Sequence, residues 1–150
     1  RELIESTLEL CGPKFKNDEV SVQVVQDNLD FMVHGQIVQL SQTLLNLLHN
    51  AYDSIRGSAN KWIKIETCLA SASFEIRVTD SGQRIAKDIA AKIFQPFYTT
   101  KGIGEGTGLG LSISAAIVKN HGGELFYDSN KSNTTFVIRL PIPKSQKEAA

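Results

Sequence analysis

From Lys101 to Leu111 the chain reads Lys-Gly-Ile-Gly-Glu-Gly-Thr-Gly-Leu-Gly-Leu, with glycine at 102, 104, 106, 108 and 110. A packed strand would not give up every second side chain, and a helix would lose roughly 1 kcal/mol at each glycine relative to alanine. Most of the run is therefore expected as a loop whose N–H groups can approach a bound group closely. From Leu109 the spacing turns helical, with Leu109, Ile113, Ala116 and Ile117 on one face. A glycine loop opening into a helix N-terminus suits phosphate, because free N–H groups and the helix dipole both favour an anion there.

Two further sets of side chains could act on such a ligand. Gln42, Asn46, Asn50 and Asp53 fall at i, i+4, i+8 and i+11 and share one helix face. Amide oxygens at that spacing could hold a hard cation such as magnesium, which takes a few oxygen ligands and keeps its waters. A solvated polar stripe accounts for them equally well. Asp80-Ser81-Gly82 follows an alternating apolar run, so its carboxylate would stand at a strand end where a ligand edge could meet it. Ordinary turn chemistry explains the same triplet and, taken alone, explains it better.

The glycine run fits neither of two familiar phosphate loops. A P-loop ends in Gly-Lys-Ser/Thr, and here Gly108 is followed by Leu109. A dinucleotide turn needs a strand before its glycines, whereas Ile89 to Phe94 reads as a helix stopped at Pro96. Asp128 lies at a tempting distance beyond Gly108 but lacks that leading strand. A surface linker is the remaining alternative; linkers are usually serine-rich and do not end in an amphipathic helix.

The elements that must position these groups follow from periodicity. Residues 2–11 read as a helix stopped by Gly12-Pro13. Val20, Val22 and Val24 alternate with polar residues as a strand reaching Val25, and Asp27 to Gly35 is a connection. Ile37, Leu40, Leu44, Leu47, Leu48, Ala51 and Ile55 give one apolar face to a long helix over 36–56, ended by Gly57. Trp62, Ile63 and Ile65, then Phe74, Ile76 and Val78, make a hairpin turning at Ala70 to Ser73. Lys87 to Phe94 is a short helix with Ile89, Ala90 and Ile93 inward. The helix after the glycines closes near His121-Gly122-Gly123, and Leu125 and Tyr127 pair with Phe136, Ile138 and Leu140 in a second hairpin. The fold class is α+β: a two-layer α/β sandwich, its mixed and mostly antiparallel sheet covered on one face by three helices. The glycine loop and the long helix would flank a nucleotide.

A chain of 150 residues suits one domain with a real core. Lys+Arg and Asp+Glu number 16 each and cancel, so no basic field argues for nucleic acid or a membrane surface. No apolar run could span a bilayer and no signal-peptide pattern opens the chain. Cys11 and Cys68 lack metal spacing and fit reduced thiols in a cytoplasmic protein. The domain is expected over 1–143, with 144–150 a flexible polar tail.

Four separated motifs then line up in order. Asn46-Leu-Leu-His-Asn50-Ala-Tyr-Asp53 resembles the asparagine box of sensor histidine-kinase ATP-binding domains, and Asp80-Ser81-Gly82-Gln83-Arg84-Ile85 resembles their Asp-x-Gly-x-Gly-Ile box. Ile93-Phe94-Gln95-Pro96-Phe97-Tyr98-Thr99-Thr100-Lys101 resembles the phenylalanine box, and Gly106-Thr107-Gly108-Leu109-Gly110-Leu111 the second glycine box. The resemblance covers about residues 3–142. It implies the Bergerat-type fold shared with DNA gyrase, MutL and the heat-shock chaperone ATPases.

The resemblance assigns roles residue by residue. Asn50 would coordinate magnesium bridging the phosphates of ATP, with Asn46 beside it as a second ligand. Asp80 would accept a hydrogen bond from the adenine amino group, and Gly82 would let the backbone pass close to the base. Phe94, Phe97 and Tyr98 would anchor the lid over about 95–107, the segment expected to be most mobile. Lys101 and the N–H groups of Gly104, Gly106, Thr107, Gly108, Leu109 and Gly110 would hold the phosphates. Asp53 also falls in the nucleotide set. Gyrase-like relatives carry a Glu one turn before the magnesium asparagine, as the base that activates water. Here that residue is Asn46, which cannot take a proton, so the γ-phosphoryl group would be kept for transfer. The acceptor would be a histidine on a separate dimerisation hairpin of the same kinase, and the next acceptor a response regulator. His34, His49 and His121 do not stand in an acceptor context. The full-length protein could be membrane-anchored. Arg84 replaces a family glycine. If that backbone needs positive φ, the substitution costs on the order of 1 kcal/mol, which keeps open a degenerate regulatory module without kinase activity. Another ATPase of the superfamily is the further alternative.

Overall fold

The computed structural model describes residues 1–26, 35–70, 73–102 and 106–142. Gly104, His34, most of the 27–35 connection and the 144–150 tail lie outside the described residues. The chain opens in α1 (Glu2–Asn17), which runs straight through the Gly12-Pro13 pair expected to stop it. Proline in a helix interior forfeits a hydrogen bond, at about 3 kcal/mol. Burial beyond the proline offsets that cost. Phe15 is 1% exposed and stacks on Tyr52 with ring centroids 5.7 Å apart. Lys14 Nζ sits 4.3 Å over the same ring, and the Tyr52 hydroxyl donates to the Asp18 carboxylate.

Then come β1 (Ser21–Gln26), α2 (Ile37–Ile55), β2 (Trp62–Ala70), β3 (Ser73–Gln83), α3 (Lys87–Ala90), α4 (Gly110–Asn120), β4 (Glu124–Tyr127) and β5 (Asn133–Pro141). The strand order is β1-β2-β3-β5-β4. β1 runs parallel to β2, as a crossover through α2 requires, and every other pair is antiparallel. The α+β sandwich is the observed architecture. Ile63 and Ile65, Ile76 and Val78, and Phe136, Ile138 and Leu140 share one sheet face and pack into a core with Leu44, Leu47, Leu48 and Ile55 of α2. Charge closes the other face, where Glu75 pairs with Arg77 and Arg139.

Local departures from the sequence reading bear on the site. β3 does not end before Asp80, which still pairs with Ile63 of β2. A register shift between Thr79 and Gln83 makes Asp80-Ser81-Gly82 a bulge within a strand, not a turn after one. The helix expected over Lys87 to Phe94 is a single turn, α3, followed by further turns that carry Ile93 into the core. In α4 the buried positions are Ser114 and Val118, with Leu111 and Ala115 packed alongside. The expected face is turned outward at Ile113 and Ala116. A polar residue at the centre of the helix contact hides that face from hydrophobic periodicity. His121 closes α4 as expected and also holds the start of α2. Its Nδ1 bonds the Ile117 carbonyl at 2.8 Å and its Nε2 accepts from the Gln36 N–H at 3.0 Å, so the proton belongs on Nδ1.

Candidate nucleotide-binding site

α2 is the spine of the site, because successive turns of it touch the three other motifs. At Asn46, Nδ2 donates to Ser114 Oγ at 3.0 Å. The Asn46 Oδ1 lies 2.3 Å from where a Cβ on Gly110 would stand, so a side chain there would force Asn46 or α4 to shift. At Asp53, the carboxylate pairs with Lys101 Nζ. At Ser54, Oγ lies 3.3 Å from the Cβ position of Gly82, beside Asp80. From residue 46 to 54 the helix rises about 12 Å, a span that suits a nucleoside triphosphate laid along it. Asn50 sits midway, half-buried and with no side-chain hydrogen bond among the described residues. Gln42, grouped with these by spacing, is exposed and joins none of the contacts. Asn46 Nδ2 is engaged by α4, while its Oδ1, the atom a cation would take, has no hydrogen bond among the described residues.

Asp80 is 2% exposed. Its Oδ1 accepts from the Gly82 N–H at 2.8 Å. Burial pushes its carboxyl up to about 6, against the opposing pull of the Gly82 amide and the Ser54 side chain. A buried carboxylate with so few partners is a functional-site candidate by the usual electrostatic argument.

The glycine segment is anchored by backbone. Gly108 has φ +66, and a Cβ there would stand 2.4 Å from the Phe97 carbonyl carbon. Phe97 itself has φ +67, and its ring is 76% exposed. The Phe97 side chain, expected as a lid anchor, lies outside the core, and it is its main chain that stands against Gly108. Phe94 packs edge-on to Phe136 at 6.3 Å, and Tyr98 packs against the core. Thr107 Oγ1 accepts from the Leu109 N–H at 3.3 Å. The first turn of α4 has no side-chain cap, which leaves its N–H groups to a ligand.

Arg84 is not among the described non-glycine residues with positive φ, so the expected strain is absent. Its guanidinium donates to the Ser129 carbonyl of the β4–β5 connection. The sequence reading missed Ser54 and Ser114, small hydroxyls that carry no period, and the hairpin residues Tyr127, Asn133 and Thr134.

Residues 35–144 match the family described as histidine kinase-, DNA gyrase B-, and HSP90-like ATPase. The chain belongs to that family. Among its relatives in this ATPase family, the two-component sensor PprA of Pseudomonas aeruginosa is 36% identical over 92% of this chain. Sensor histidine kinase ZraS of Escherichia coli is 33% identical over 97%. The chain spans 16% of PprA and 31% of ZraS. The catalytic domain of histidine kinase ThkA superposes with a TM-score of 0.82 at 31% identity, over 94% of this chain and 92% of that one. ThkA in complex with the response regulator protein TrrA matches at a TM-score of 0.78 and 27% identity, over 97% of this chain and 41% of that one. These relatives place the chain among the ATP-binding domains of sensor histidine kinases.

Proposed function

We propose that this domain binds magnesium-ATP along α2 and presents its γ-phosphoryl group to a histidine on the dimerisation hairpin of the same kinase, for onward passage to a response-regulator aspartate. The observation that carries the reading is the set of α2 contacts: Asn46 with Gly110 and Ser114, Asp53 with Lys101, Ser54 beside Gly82 and Asp80. Asp80 reads the adenine amino group, an edge that guanine does not offer. Lys101 and the N–H groups from Gly106 to Gly110 hold phosphate oxygens, with Gly104 a further candidate from the sequence. Asp53 acts through Lys101. Asn50 suits magnesium, since its half-buried amide is uncommitted and magnesium keeps phosphate oxygens and water for its other positions. Magnesium, when bound, neutralises phosphate charge. The chain's own part is positioning and electrostatics, which dominate phosphoryl transfer.

Asn46 stands one turn before Asn50 and cannot act as a base for water, which favours transfer over hydrolysis. The degenerate-module reading was motivated by Arg84 in place of a family glycine, and Arg84 is not among the described non-glycine residues with positive φ. Nucleic acid has no part in the proposal. Calorimetric titration with magnesium-ATP tests the site. Asp80→Asn is expected to weaken adenine nucleotides while leaving phosphate contacts intact. Asn50→Ala is expected to weaken binding with magnesium present but not in chelator. Equal loss under both conditions would make Asn50 structural.

A further inference from the structure

We propose that Tyr127, together with Arg84, is a positioning device through which the β4–β5 hairpin sets where Asp80 stands relative to the base. The proposal rests on the nucleotide reading above. Each residue from Gly82 to Ile85 is fastened to the hairpin. Asn133 Nδ2 donates to the Gly82 carbonyl at 3.2 Å, and Thr134 Oγ1 to the Gln83 carbonyl at 2.6 Å. Arg84 donates to the Ser129 carbonyl. The Ile85 N–H donates to the Tyr127 hydroxyl at 3.0 Å. These contacts fall where the bulge interrupts the regular ladder to β5, so side chains hold what main-chain pairing leaves unheld.

The Tyr127 ring also packs on Phe136 at 5.8 Å, and Phe136 receives Phe94 from the root of the lid. One residue therefore ties the Asp80 segment to the lid. Packing alone would be served by phenylalanine, so the hydroxyl is the informative atom. Arg84 adds the second tie from an exposed position, and it is the residue that departs from the family glycine. Without these ties the segment spends part of its time away from the geometry that meets adenine, and apparent affinity falls by the fraction lost.

The test uses this chain with magnesium-ADP and the variants Tyr127→Phe, Arg84→Ala and the pair. Affinity is expected to fall about twofold to threefold in each single variant and about fourfold to ninefold in the double, within what lost hydrogen bonds can supply. The preference for ADP over GDP should narrow. Hydrogen exchange at the Ile85 amide should quicken in Tyr127→Phe while the Val78 amide, deep in the ladder, keeps its protection. Quickening at both amides with a matching fall in melting temperature would make Tyr127 merely structural and overturn the proposal. So would unchanged ADP affinity and Ile85 exchange in the double variant. Failure of the unmodified chain to bind magnesium-ADP would instead overturn the nucleotide reading itself, and the positioning role with it.

Discussion

Lys101 Nζ closes on the Asp53 carboxylate, joining the root of the glycine segment to the long helix. Both side chains are about one-third exposed, at 33% and 38%, so solvent screening leaves the pair worth well under 1 kcal/mol to the fold. Its meaning is competitive, because a lysine held by a carboxylate must be released to reach a phosphate. Asp53→Asn is expected to leave the melting temperature nearly unchanged and to tighten magnesium-ATP binding by no more than about twofold, a fraction of the weak pair energy. Lys101→Met should weaken it. Weaker binding in Asp53→Asn would move Asp53 from partner of the lysine to direct ligand.

Asp80 sets a pH dependence with opposite signs for stability and binding. Its carboxyl is raised from 3.8 to about 6 by burial, so the folded chain holds that proton more tightly than the unfolded one. The resulting stability is fully present below 3.8 and is lost as pH rises through about 6, leaving a cost on the order of 3 kcal/mol at neutral pH. Asp80→Asn is therefore expected to raise the melting temperature at pH 7.5 and to do little at pH 4. Adenine favours the ionised form, so ATP affinity of the unmodified chain should rise through pH 6 and binding there should release protons. Titration at pH 6 in two buffers of different ionisation enthalpy measures that release. Proton uptake would contradict the carboxylate–amino pairing.

Most of the fold was legible because it is written in apolar spacing. The α2 stripe from Leu40 to Ile55 and the alternation in β2, β3 and β5 each matched a single structure. What misled were positions where a tertiary contact outweighs a local signal. Gly12-Pro13 is a sound stop signal, overridden by Phe15 burying itself against Tyr52. Ile113 looked inward by period, but Ser114 faces α2 because Asn46 offers it a partner. Asp80, Asn50 and Lys101 could be found as candidates by residue type and motif. That Asp53 restrains Lys101, or that Arg84 reaches a hairpin 45 residues further on, depends on proximity that no spacing encodes.

The Asn46–Gly110 contact predicts an unusual response to a helix-favouring change. Glycine to alanine inside a helix normally stabilises by about 1 kcal/mol. At residue 110 the new methyl would stand 2.3 Å from Asn46 Oδ1, and forcing such an overlap typically costs about 1–3 kcal/mol. Gly110→Ala is expected to lower stability and to weaken magnesium-ATP by shifting the start of α4. Adding Asn46→Ala should recover part of the stability, because the obstructing amide is gone, giving a non-additive cycle. Additive losses in denaturant melts would show that the two residues do not meet.

The last expectation concerns where phosphate ends up. Of the histidines in described residues, His121 has both ring nitrogens engaged, by the Ile117 carbonyl and the Gln36 N–H. The pKa of His49 is lowered from its ordinary value by desolvation and by the nearby Lys14, with Lys101 adding to the effect and Asp53 opposing it. His49 lies one residue before Asn50, which turns it about 100° around α2 from the residue proposed to meet magnesium and the phosphates. In-line attack needs the nucleophile within about 3–3.5 Å of the phosphorus, and the His49 side chain projects from a different face of α2 than the proposed phosphate position. Incubated with magnesium and labelled ATP, the chain is expected to carry no acid-labile phosphate, while the dimerisation hairpin of its own kinase, added in trans, becomes labelled. His49→Gln should leave that labelling intact. Label on this chain that disappears with His49→Gln would make His49 an acceptor and overturn the division of roles between domain and hairpin.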